Sequence, residues 1–280
     1  MVQDTGDVSN SNILVLIGRR KIETEQGMMI SGVAVGAQSK RLTLPVISGL
    51  ALLCLTGSLL LAGCQSVSGF TATSLVRIID ASYNAPAINV SVEGQLLASN
   101  IGQGNITTYG QFAPSSSAVV KVTDASSGKT LVSSTGSLVA NQSHSVLITD
   151  INATYQVTVL QDQSVAAASG HSDFRLINEA PSTGAVDVYF LPGTSATVFA
   201  TAKPVITGLA VGAISGYVAI PSSTLYMVIA PSGTTLSTTA TTIYQSGAFD
   251  LVGGEVRTVL IVDPQLATQP VQVYTANDVN

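Results

Sequence analysis

The side chains able to do acid–base, nucleophilic or metal chemistry are few and scattered. The 280-residue sequence holds two histidines and two cysteines, and charged residues make up only 10% of it. His144 follows Asn141-Gln142-Ser143 at a strand start, and His171 lies in a stretch of small residues. Neither stands in the close His/Cys/carboxylate spacing that zinc uses. A Ser-His-Asp triad assembles in space rather than in sequence, so a serine with His144 stays open as an envelope-hydrolase alternative, but no G-x-S-x-G elbow supports it. Paired carboxylates suited to glycoside hydrolysis are scarce after Cys64. With no Trp and 5% aromatic residues, flat sugar-binding platforms are scarce too. Tyr83, Tyr109, Tyr189, Tyr217 and Tyr244 would make the smaller platform of a carbohydrate-binding surface protein, against the plainer reading of strand tyrosines with wet hydroxyls. For calcium the best local oxygen pair is Asp80 with Asn84, where an Asx turn is the simpler expectation. Gly102-Gln103-Gly104 lacks the helix of a phosphate cradle and reads as a turn. No catalytic residue, cofactor site or metal site is expected, and the chain is not expected to be an enzyme.

Two arginines stand out. Arg77 and Arg175 each occupy the same place in an apolar strand, and are either structural or ligand-facing. A ligand-facing guanidinium would bind an anionic partner. A structural one packs its stem on the sheet and gives its head to a carboxylate or loop carbonyls. Recurrence favours the structural role, with each head satisfied inside its own half of the chain and the two acting independently.

Cys64 carries a different chemistry. Lys40-Arg41 is followed by an uncharged run from Leu42 to Gly63, the pattern of a signal peptide. The run ends in Leu61-Ala62-Gly63-Cys64, which resembles the bacterial lipobox, where the Cys thiol is acylated and the chain is cut just before it. An uncleaved span is the alternative, since 22 uncharged residues reach across a bilayer core of ~30 Å. Both readings export the chain beyond Cys64. Cys54 reads as an apolar filler, and Met28-Met29 offers a better start than Met1, because residues 1–27 carry acidic residues unusual ahead of an export signal. Gln65 in place of Asp favours the outer over the inner membrane if the host has two, by analogy with enteric sorting.

The elements that position these residues read as β-strands. Ile88, Val90 and Val92 alternate with polar residues, as do Val186, Val188 and Phe190, and Tyr155, Val157 and Val159. Turn clusters such as Ser126-Ser127-Gly128 and Pro231-Ser232-Gly233 separate the runs. Residues 76–92 align without a gap to 174–190 at an offset of 98, bringing Arg77 to Arg175 and Val90 to Val188. Further blocks match in the same order, ending with Val146-Leu147-Ile148 and Asp150 against Val259-Leu260-Ile261 and Asp263 at an offset of 113. The sequence therefore predicts an all-β protein with two tandem Ig-like β-sandwich domains after an N-terminal signal segment. The expected division is 1–63 for an over-early start plus signal peptide, 64–71 for a lipidated tether, 72–161 for repeat 1, 162–171 for a flexible linker and 172–280 for repeat 2.

The repeated motif itself, Val76-Arg77, Ala81-Ser82, Ala85-Pro86 and Val90, then Arg175, Ala180-Pro181, Ala185 and Val186-Asp187-Val188-Tyr189, resembles the bacterial domain-of-unknown-function family 4397. The family's His before the Ala-Ser pair is replaced here by Asp80 and Asn178, and Gly184 replaces the later Pro in the second copy. The resemblance implies an exported β-sandwich, often in tandem, without an established activity.

Charge adds one exclusion. After Cys64 there are twelve acidic and six basic residues, scattered singly. No basic stripe exists to neutralise phosphates, so nucleic acid is not an expected partner. The expectation is a lipid-anchored module of the bacterial cell envelope, outside the cytoplasm, structural or binding in role, touching the membrane through its lipid and an unknown envelope protein or polymer.

Overall fold

A computed structural model describes residues 72–151, 154–237, 242–265 and 269–279. The apolar N-terminal segment, Cys64 and the tether of residues 64–71 lie outside the described residues. The described residues form one compact unit.

Strands take up about half of the described residues, and the regular structure is almost entirely β. The first half builds β1 (Ser74–Asp80), β2 (Ile88–Val92), β3 (Gln95–Ile101), β4 (Gly110–Phe112), β5 (Ser115–Asp124), β6 (Thr130–Leu138), β7 (Ser143–Thr149) and β8 (Gln156–Gln161). The second builds β9 (His171–Glu179), β10 (Val186–Leu191), a six-residue helix α1 (Ala196–Thr201), β11 (Ile206–Leu209), β12 (Val218–Pro221), β13 (Thr224–Pro231), β14 (Tyr244–Gln245), β15 (Phe249–Asp250), β16 (Val256–Val262) and β17 (Gln272–Asn277).

Hydrogen bonding sorts these strands into sheets of order β4-β1-β7-β8 and β3-β2-β5-β6 in the first half, and β12-β9-β16-β17 and β11-β10-β13-β14 in the second, with β15 on β13. In each half the first strand lies parallel to a late one: β1 beside β7, and β9 beside β16. Alternation explains the cores. Ile88, Val90 and Val92 point inward with Val76, Ile78, Val146 and Ile148 of the facing sheet, burying one continuous apolar cluster. Val186, Val188 and Phe190 do the same with Phe174, Leu176, Val259 and Ile261. The β2–β3 hairpin closes on Glu93 (φ 50°) and Gly94 (φ 78°), both left-handed, as a two-residue turn matched to strand twist requires.

Two expectations are corrected here. The strands β1, β7, β9 and β16 are buried on both faces, because the β1/β7 sheet packs on the β9/β16 sheet: Ile79 and Leu147 meet Ile177, Leu260 and Val262 in a third apolar cluster. The halves therefore share a core rather than standing apart on a flexible joint. The joint itself is fastened. Asp162 donates its N–H to Ser143 O, Ala167 donates to Gly254 O, and the Gln163 side chain donates to Asp173. The second correction concerns β10. Its outer residue Tyr189 is buried beneath Phe199 of α1 instead of facing solvent.

Candidate functional site

Arg77 and Arg175 project from β1 and β9 on the face opposite their own cores, into the seam between the halves. Strand register sets their first neighbours. The parallel pairing puts Arg77 beside Ser145 and Arg175 beside Thr258. Accordingly Arg77 Nε donates to Ser145 Oγ (2.8 Å), and Arg175 Nε donates to Thr258 Oγ1 (3.2 Å). Beyond these the heads cross over. Arg77 Nη2 pairs with Asp278, at the end of β17, and Nη1 donates to Asn277 O (2.8 Å). Arg175 Nη2 pairs with Asp162 (2.6 Å), at the end of β8, and Nη1 donates to Gln161 O (3.3 Å). The expectation that each guanidinium closes within its own half is thus wrong: each meets the carboxylate of the other half.

The surroundings repeat the exchange. Ser145 Oγ and Tyr109 OH donate to Asp162 (2.8 and 2.7 Å), while Thr258 Oγ1 donates to Asp278 (2.7 Å) and Tyr217 OH does likewise. Each arginine lies over a ring of its own half, Arg77 4.9 Å from the Tyr109 centroid and Arg175 5.0 Å from that of Tyr217. Arg77, Arg175, Asp162 and Asp278 are all buried. Two cations and two anions cancel, which is what lets four charges sit out of water. Burial opposes the Arg175 charge, but Asp162 foremost, with Tyr217 and Asp278, outweighs it and holds the guanidinium above its ordinary pKa. Burial above all pushes both tyrosine hydroxyls well above the usual phenol range, so they stay protonated and serve as donors.

This cluster is organised to hold, and its donors and acceptors are spent on one another. The other candidates are dispersed. His144 is buried, and its Nε2 is taken by the Val139 N–H (3.2 Å); burial lowers its pKa, favouring the neutral ring. His171 meets Ser169 O. Asp80 accepts the Ser82 N–H (3.0 Å), as an Asx turn does, while the Asn84 N–H goes to Asp150. Asp150 and Asp263 pin the loops after β1 and β9 through the amides of Tyr83 and Ser182. Among the described residues no group of three His, Cys, Asp or Glu could hold a metal. The five tyrosines do not share a face: Tyr109 and Tyr217 serve the charge network, Tyr189 lies under α1, Tyr244 packs on the second core, and Tyr83 is exposed.

Sequence reasoning singled out the arginines but missed Asp162, Asp278, Tyr109, Tyr217, Ser145 and Thr258. A signal for them existed. Asp278 follows Asp162 by 116 positions and Tyr217 follows Tyr109 by 108, close to the offsets of the aligned blocks.

Fold and site define an all-β, sandwich-like protein whose most organised polar cluster is a buried internal clasp. Residues 74–189, from β1 through most of β10, match the family model described as Domain of unknown function (DUF4397). No curated protein matches the chain.

Proposed function

We propose that the chain is an exported lipoprotein, acylated on Cys64, that displays two copies of one Ig-like β-sandwich at the bacterial cell envelope as a structural or binding module without chemistry of its own. The observation that carries the reading is the reciprocal clasp. Its four charged side chains pair across the two halves and spend their donors and acceptors on one another, which leaves none of them free to turn over a substrate. Duplication is supported by the matching sheet orders and by the equivalent parallel pairs β1/β7 and β9/β16. Export is supported by the uncharged run Leu42–Gly63 ending at Cys64. Labelling cells with a radioactive fatty acid tests it. The wild-type chain should take up label and run shorter than its Cys64→Ser variant, which should remain unlabelled and unprocessed. Equal processing of both proteins, with label retained by the variant, refutes the lipid anchor.

A further inference from the structure

The two halves differ at one edge. In the first, β6 runs unbroken for nine residues and presses against β8. At Gly136 the approach is so close that an added Cβ would lie 2.3 Å from Val159 Cγ2. In the second half the same edge is interrupted. β14 and β15 are two residues each, on either side of Gly247, and both pair with β13 as fragments of one broken strand. The register that pairs Val146 with Val159 pairs Val259 with Thr275, so a smaller, polar residue replaces the valine that seals the first half.

This broken edge opens into a cleft of about 210 Å³. Its floor is apolar, formed by the buried Phe174, Met227 and Val259, and Phe249 and Tyr244 stand at its sides. Phe174 and Phe249 belong to a chain of ring contacts through Phe190, 4.8 and 6.4 Å between centroids. One cation lines it: Arg257, at the position His144 holds in the first half. Its Nη2 donates to Glu255 (2.8 Å), and its side chain keeps 24% of its surface exposed. Beside an apolar floor, a half-buried guanidinium is a stronger donor to an anion than it would be in water. The volume is below the roughly 300–1,000 Å³ of pockets for drug-sized ligands, so the occupant is small.

We propose that this cleft binds a small carboxylic acid with an apolar body, its body on Phe174, Met227 and Phe249 and its carboxylate accepting from the Arg257 guanidinium in competition with Glu255. The site is separate from the Arg77–Arg175 clasp and does not depend on the lipid anchor. Met227 is the only methionine after Met29, which supplies a reporter. The full chain, carrying ¹³C-methyl methionine and held in nanodiscs, is titrated with 3-phenylpropionate and with its uncharged amide. The acid should shift the Met227 methyl resonance saturably, and the amide should bind roughly tenfold or more weakly, as loss of a charged hydrogen bond implies. Arg257→Gln should erase that preference, and Glu255→Gln, which frees the guanidinium from its competitor, should tighten the acid several-fold. A Met227 resonance that does not saturate, equal affinity for acid and amide, or an acid affinity unchanged or weakened in Glu255→Gln overturns the proposal.

Discussion

Replacing Arg77 by Met keeps most of the stem's packing and removes the head, which isolates the clasp. Arg77 is 1% exposed and its head donates to Ser145, Asn277 O, Thr258 and Asp278. Breaking a buried ion pair by deleting one partner typically costs about 3–5 kcal/mol. Asp278 keeps the Tyr217 and Thr258 hydroxyls after the deletion, so the expected loss is at the lower end, about 3 kcal/mol, a large share of a stability of roughly 5–15 kcal/mol. Arg175→Met should cost a similar amount. The decisive quantity is the double variant. Both heads touch Thr258, and each stands 3.9 Å from the carboxylate that the other bonds. The two losses should therefore fail to add, with a coupling of about 0.5–3 kcal/mol. Urea unfolding of the full chain in mild detergent, followed by far-ultraviolet circular dichroism, gives the four free energies. Losses that add to within roughly 0.3–0.5 kcal/mol would mean that the arginines belong to independent domains, and the shared clasp would be refuted.

Other outcomes depend on single sites. Val188→Ala truncates a side chain with no exposure in the second core and should cost about 1–3 kcal/mol by the same unfolding assay. Gly136→Ala forces a methyl against Val159 where β6 meets β8 and should cost about 1–3 kcal/mol, relieved by Val159→Ala in the same chain. Glu179, buried with Oε2 unpartnered, is pushed up from 4.5 to about 7 by burial and then by Asp150. The native chain therefore keeps a proton that the unfolded chain has released, so stability should fall as pH rises from about 4.5 to about 7 and then level off. Urea midpoints across that range should show the fall in the wild type and a flatter profile in Glu179→Gln; identical profiles would contradict it.

Strands were legible wherever one face met a core. Ile88, Val90 and Val92 alternate with polar residues because β2 has a core on one side only. The runs around Arg77 and from Val259 to Val262 do not alternate, since β1 and β16 are covered on both faces. Such a run shows that a second surface is present without saying which one. Asp162 looked like the first residue of a linker because it directly follows a strand end. Its role depends on Arg175, 13 positions on, turning its head across the seam. Asp278 stands 201 positions from Arg77, and only the packing of two halves brings them together. The edge cleft was hidden for the opposite reason: it arises from an interruption of a strand, and a short strand broken at Gly247 leaves little periodicity to read.

Hydrogen exchange in the Arg77→Met full chain tests most directly whether the halves are clasped into one body. Strands β5 and β13 lie far from the seam, in the outer sheets of the first and second halves. If the clasp unites them, removing a first-half arginine should lower the protection of β13 amides by about as much as that of β5 amides, both tracking the global loss of stability. Reduced protection in β5 with β13 unchanged would contradict it.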